Sequence, residues 1–226
     1  MRLENKKILL IGGSHGMGLG AARAVLAQGA QVILVGREKT ALETARDELV
    51  GNVRTVQGDI TEVDSHEALL ESIGEFDHVF ISASPGGEAG FDAPHPRIEA
   101  SYFYGKVWCT FKFLQCVVRY ISAGGSITLM SGGYAVRSTP DYPLVSMAFA
   151  ATEAMARALA VSIAPIRVNA IRPTYIDQKQ PLTSKTLTGT MGSNDDVGDA
   201  VAFLMGNNYI NGETLSIDGG AGVIFT

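Results

Sequence analysis

The chain has 226 residues, 46% of them apolar and 18% charged, so it holds enough hydrophobic side chains to bury a core, and disorder and a collagen-like repeat are excluded. Lys and Arg total 18 against 23 Asp and Glu; the net charge of −5, spread without long runs, indicates no nucleic-acid footprint and leaves a small molecule as the expected partner. Two cysteines, Cys109 and Cys116, are too few for a disulfide framework. No stretch reaches about 18 unbroken apolar residues, and the opening MRLENKK is no apolar signal region, so a cytoplasmic protein without a membrane segment is expected.

In chain order, the continuous apolar run KILLI at residues 7–11 ends in glycines, as a strand buried on both faces of a parallel sheet does. Ala21, Ala22, Val25 and Leu26 recur at helical spacing and predict a helix over 18–28, closed by Gly29 and followed by a buried strand over 31–35. The alternation continues. Further helices are predicted over 40–49, 65–73, 99–120, 144–163 and 196–205, with strands over 53–57, 78–82, 126–130, 167–171 and 214–217. Strand–helix alternation without a linker or repeat predicts one α/β domain over residues 1–226. Its fold is a single Rossmann-type doubly wound parallel sheet of about seven strands with helices on both faces. Two loops rich in Gly, Pro, Ser and Thr, at 85–96 and 174–194, each follow the C-terminal end of a strand, the edge where such sheets bind ligands. Within the first, His95 lies between two prolines and reads as a spacer.

The first strand runs into Gly12-Gly13-Ser14-His15-Gly16-Met17-Gly18 and then the first helix. Glycines at 12, 16 and 18 let the backbone turn sharply and approach a pyrophosphate, while the helix start offers free N–H groups and the positive end of its dipole. Strand, turn and helix together point to a dinucleotide site.

At this turn the chain resembles the short-chain dehydrogenase/reductase family, and the likeness extends to its C-terminus. IGGSHGMG resembles the family's TGxxxGIG turn, GDI at 58–60 its adenine-side segment, IRVNAIRP at 166–173 its IRVNxIxPG strand, and GETLSIDGG at 212–220 its last strand and glycine turn. The resemblance implies cofactor contacts at Gly12, Ser14, His15, Gly16, Met17 and Gly18 in the turn. It adds Asp59 and Ile60, then Ser82, Ala83 and Ser84 in place of the family's NNAG, and Pro173 and Ile176 after the sixth strand. Arg37 ends the second strand where an acidic residue would favour a free ribose 2′-hydroxyl. A guanidinium there pairs with a 2′-phosphate, so NADP(H) is the expected cofactor, with His15 as a second donor.

The family's catalytic positions are where the chain departs. Its Tyr-x-x-x-Lys pair aligns with Val145 and Phe149, neither of which moves a proton, and the Ser thirteen residues earlier aligns with Gly132, one residue from Ser131. The family's Asn falls near Gly105, beside Tyr102, Tyr104 and Lys106. Tyr142, left extended before the helix by Pro143, is the expected replacement acid and Ser131 the expected carbonyl-polarising group, with Lys106 or solvent competing for the proton. An atypical NADPH-dependent oxidoreductase acting on a small carbonyl or enone is therefore expected. The alternative is a catalytically inactive NADP(H)-binding sensor or partner subunit. Small residues over 148–160 suit close helix pairing, so a homodimer or homotetramer is expected.

Overall fold

In the computed structural model, which describes residues 2–84, 101–177 and 182–223, seven parallel strands form one sheet in the order β3-β2-β1-β4-β5-β6-β7. In chain order the elements are β1 (Lys7–Ile11), α1 (Gly16–Leu26), β2 (Gln31–Gly36), α2 (Lys39–Glu48), β3 (Asn52–Gln57), α3 (His66–Ile73) and β4 (Phe76–Ile81). A π-helical stretch, Ser101–Cys109, then runs into α4 (Thr110–Val117), followed by β5 (Ile121–Met130), α5 (Pro143–Ser162), β6 (Arg167–Pro173), α6 (Asn194–Gly206) and β7 (Thr214–Ile217).

The unbroken apolar strands follow from this placement. Along β1, Ile8 and Leu10 face the layer of α1 and α6, while Leu9 and Ile11 face the layer of α3, α4 and α5; Val32 and Leu34 alternate with Ile33 and Val35 in β2 in the same way. Each face therefore has its own core, and the strand order reverses between β1 and β4. That reversal opens a crevice at the C-terminal ends of the central strands.

The expected long helix over 99–120 differs in the structure. Its described part winds as a π-helix before α-helical bonding begins at Thr110, a change that apolar spacing does not distinguish from ordinary helix. Strand β5 starts at Ile121 rather than at 126, passing through Gly124 at φ +79°. Helix α5 is long and apolar enough, by length and composition alone, to cross a membrane, with a mean hydropathy of 1.4. It lies against the sheet with Val145, Ala148, Ala156 and Ala160 buried.

Candidate cofactor and active site

A cavity of about 790 Å³ opens at the C-terminal ends of β1 to β5, a size within the range of small-molecule sites. Its wall runs from Gly12, past Arg37 at the end of β2 and Asp59 beyond β3, to Ser84 beyond β4 and Lys106 in the π-helical stretch.

The glycine turn is built for a close approach. Gly12 sits at φ +84°, and a Cβ there would stand 2.8 Å from Ser82 Oγ and 3.0 Å from the Ala83 nitrogen, so the turn lies flat against the segment after β4. Gly16 sits at φ +55° with only Asn194 Oδ1, 3.8 Å away, near its missing side chain; the space beside it is open. His15 is the N-cap of α1 and makes no side-chain capping bond, which leaves the first-turn N–H groups of an eleven-residue helix without a side-chain acceptor. Helix α6, by contrast, is closed by a capping box of Ser193 and Asp196. An uncapped helix start against a cavity fits a pyrophosphate. Beside it, Ser14 Oγ lies 3.1 Å from His15 Nδ1.

At the second strand, Arg37 is exposed on the cavity wall, its carbonyl held by Gln57 Nε2 at 2.9 Å. Asp59 accepts from the Thr61 amide and hydroxyl, each at 2.8 Å, which fixes the turn after β3. The Ser82 hydroxyl donates to the Ile11 carbonyl at 2.9 Å and lies 3.0 Å from that of Gly12, so here a serine ties the β4 end to the glycine turn. Of the residues expected at the cofactor, Gly12, Ser14, His15, Gly16, Met17 and Gly18 line the cavity, as do Arg37, Asp59, Ile60, Ser82, Ala83 and Ser84. Pro173 and Ile176 are not in its lining; Ile176 packs against the α1/α6 core and pairs in a bridge with Gly192. His95 lies outside the described residues.

Neither residue expected to act on substrate lines the cavity. Ser131 is buried with its hydroxyl donating to Glu153 Oε1 at 2.8 Å, and Glu153 in turn receives Arg172 Nε at 2.8 Å and Nη2 at 2.6 Å. The hydrogen bonds it donates to Glu153 hold the Arg172 guanidinium more firmly charged than usual, against the opposing pull of burial. Ser131 follows the end of β5 at Met130, and its hydroxyl turns to Glu153 of α5 instead of the cleft. Tyr142 is the N-cap of α5, with Pro143 opening the helix as expected, and its ring stacks on Tyr134 with centroids 4.9 Å apart. It joins Val145, Phe149 and Tyr102 in one apolar cluster, where burial raises the Tyr102 phenol above its usual range.

The side chain that the sequence left among the competitors is the one that the structure places in the cleft. Lys106 is 4% exposed, lines the cavity and lies with Nζ 5.3 Å from the centre of the Phe149 ring. The expected apolar face of its helix gave no sign that a lysine would be buried.

A doubly wound sheet with a glycine turn, an uncapped helix start and a cavity at the switch point defines a dinucleotide-binding protein. The profile of a family described as enoyl-(acyl carrier protein) reductase matches residues 12–222. A glucose 1-dehydrogenase of Gluconobacter oxydans (strain 621H) is 30% identical over 252 residues, spanning 97% of this chain and 92% of that protein. A 3-oxoacyl-(acyl-carrier-protein) reductase of Escherichia coli (strain K12) is 27% identical over 240 residues, spanning 97% and 98%. Among solved structures, a short chain dehydrogenase/reductase family protein aligns with a TM-score of 0.92 at 25% identity, over 99% of this chain and 100% of that one. The chain belongs to the short-chain dehydrogenase/reductase family, oxidoreductases that bind nicotinamide cofactors.

Proposed function

We propose that this chain is an NADP(H)-dependent oxidoreductase that reduces a small carbonyl or enone. The observation that carries the cofactor choice is Arg37, exposed on the cavity wall at the end of β2, with Ser14 and His15 across the turn. A guanidinium pairs with a 2′-phosphate by charge-assisted hydrogen bonds, and a bare ribose would leave it idle. The N–H groups at the start of α1 would hold the pyrophosphate, Asp59 and Ile60 would border the adenine, and Ser82 to Ser84 would line the path towards the reacting ring. The nicotinamide, when bound, supplies hydride. Titration by nicotinamide fluorescence should give NADPH an advantage over NADH of at least about tenfold, or about 1.4 kcal/mol. Arg37→Asp should remove that advantage; equal affinities in the unaltered chain would withdraw NADP(H).

The second reading, an NADP(H)-binding module without turnover, draws on Val145 and Phe149, which stand where the family handles protons. NADPH binding with no oxidation across aldehydes, ketones and enones would favour it. A homodimer or homotetramer is supported by the exposed Phe103, Trp108, Met147 and Val161 on the two helical segments beside the cleft. Sedimentation at micromolar concentration would give the stoichiometry, and a monomer would overturn it. Cys109 and Cys116 are free thiols, in keeping with a cytoplasmic location.

A further inference from the structure

The side chain of Lys106 lines the cavity from the π-helical stretch. Nζ lies against the Phe149 ring and 3.5 Å from the Ala83 carbonyl oxygen, the outer limit of a hydrogen bond. Among the described residues Lys106 makes no ion pair. An ammonium has three donors, so one long bond and one ring face leave donor capacity beside the cavity that the side chain lines. Burying an unpaired cation is costly, and an uncharged side chain of the same length would fill the place without that cost. The expense falls at the position where the family's lysine is replaced by Phe149.

We propose that Lys106 is the proton donor of the reduction, standing in from the π-helical stretch for the side chains missing at Val145 and Phe149. The proposal rests on the oxidoreductase reading above. A bound reduced nicotinamide would supply hydride, the electron pair of its C4–H bond becoming the new C–H bond at the electrophilic carbon of an aldehyde, ketone or enone. A Lys106 N–H bond breaks as the O–H bond forms on the carbonyl or enolate oxygen. Lys106 is left as the neutral amine and regains its proton from water. Burial holds the Lys106 ammonium down at about 8, which sets its release close to neutral pH. The titratable or charged groups sharing its part of the cavity wall are Tyr104 on its own stretch and Asp59 and Glu62 beyond β3; Tyr102 and Tyr142 belong to the Phe149 cluster.

The test compares the full-length chain with Lys106→Met, Lys106→Arg and Tyr142→Phe, using NADPH and a panel of aldehydes, ketones and enones. Lys106→Met should lower kcat about 10²-fold while changing KM and NADPH affinity little, and the alkaline fall in rate near pH 8 should disappear. Lys106→Arg keeps the charge but does not surrender a proton, so it should stay slow. Without any turnover assay, cyanate labelling of the unaltered chain, read by peptide mass spectrometry from pH 6 to 10, should half-label Lys106 near pH 8, and NADPH should protect it. Lys106→Met should also melt no lower than the unaltered chain, because a buried charge is gone. If that variant fails to fold, Lys106→Gln and the labelling curve decide. Turnover unchanged in Lys106→Met, turnover lost only in Tyr142→Phe, or half-labelling above pH 10 overturns Lys106 and leaves the oxidoreductase reading standing. NADPH binding without turnover by the unaltered chain overturns both.

Discussion

The ring of Phe149 occupies the volume that a side chain at Gly132 would need: a Cβ built there collides with the ring edge. Gly132 has φ −176°, an extended conformation that any residue adopts, so the exclusion comes from the ring and not from the backbone. Gly132 and Phe149 thus form one packing arrangement. Gly132→Ser alone should destabilise the protein by about 1–3 kcal/mol, the usual scale of overpacking. In a Phe149→Ala background the same serine should cost much less, and a double-mutant cycle by chemical denaturation measures the coupling. Additive costs would mean that the ring moves aside freely.

Behind that ring, Ser131, Glu153 and Arg172 form a network that holds α5 to β6. Glu153 is 5% exposed and takes a two-pronged bond from Arg172, so its removal takes the carboxylate partner from a half-buried guanidinium that keeps its bond to Ser216 Oγ. Glu153→Ala should cost about 3–5 kcal/mol, the scale of breaking one side of a buried pair. Ser131→Ala removes one hydrogen bond and should cost about 1 kcal/mol. Because the Ser131 hydroxyl points at Glu153 and not at the cavity, its loss should leave turnover unchanged. Denaturation midpoints together with NADPH oxidation rates check both statements; a large rate loss in Ser131→Ala would return the serine to the chemistry.

The sequence legible at a distance was the part written in local periodicity. Strand β1 falls over 7–11 as expected, because apolar runs bounded by glycine have few other readings. The cavity wall was legible because strand ends place it: Arg37 and Ser82 line it where β2 and β4 stop. What failed depended on contacts between distant segments. Ser131, one residue from the position that aligns with the family's Ser, follows the end of β5, and its hydroxyl is turned by Glu153 on the distant α5. Lys106 reads as a surface cation in any helical pattern, and it is buried against the distant Phe149 and Ala83.

Gly16 tests the phosphate site. A side chain there meets no close neighbour but adopts φ +55°, so Gly16→Val should fold with a penalty of about 1–2 kcal/mol from the left-handed backbone. NADPH affinity should fall by more than tenfold, because the valine stands at the uncapped start of α1 where the pyrophosphate would approach. Thermal melting separates folding from binding. Unchanged affinity in a folded variant would move the phosphates elsewhere.

His78 sets the acid limit of the fold. It is buried on β4, with Nδ1 2.9 Å from Ser126 Oγ, and burial, helped by the charge of Arg167, pushes its imidazolium down from 6.5 to about 4. The folded pKa lies below the unfolded one, so above about 6.5 neither state carries the proton and stability does not depend on this group. Between 6.5 and about 4 the unfolded chain binds a proton that the folded chain refuses, and stability falls as pH falls. Across that window the loss should reach about 3 kcal/mol, at about 1.4 kcal/mol per pH unit. Asp77, next along β4, is pushed up by burial, but the Lys6 hydrogen bond, the Lys7 amide and the charges of Lys6 and His78 together outweigh it and leave it below 3.8, so its own titration lies under the window. Urea denaturation at pH 7, 5.5 and 4.5 should show the decline, and His78→Gln should flatten it even though that variant starts from a lower stability. The slope is the readout: an equal slope in His78→Gln would assign the acid sensitivity to a different group.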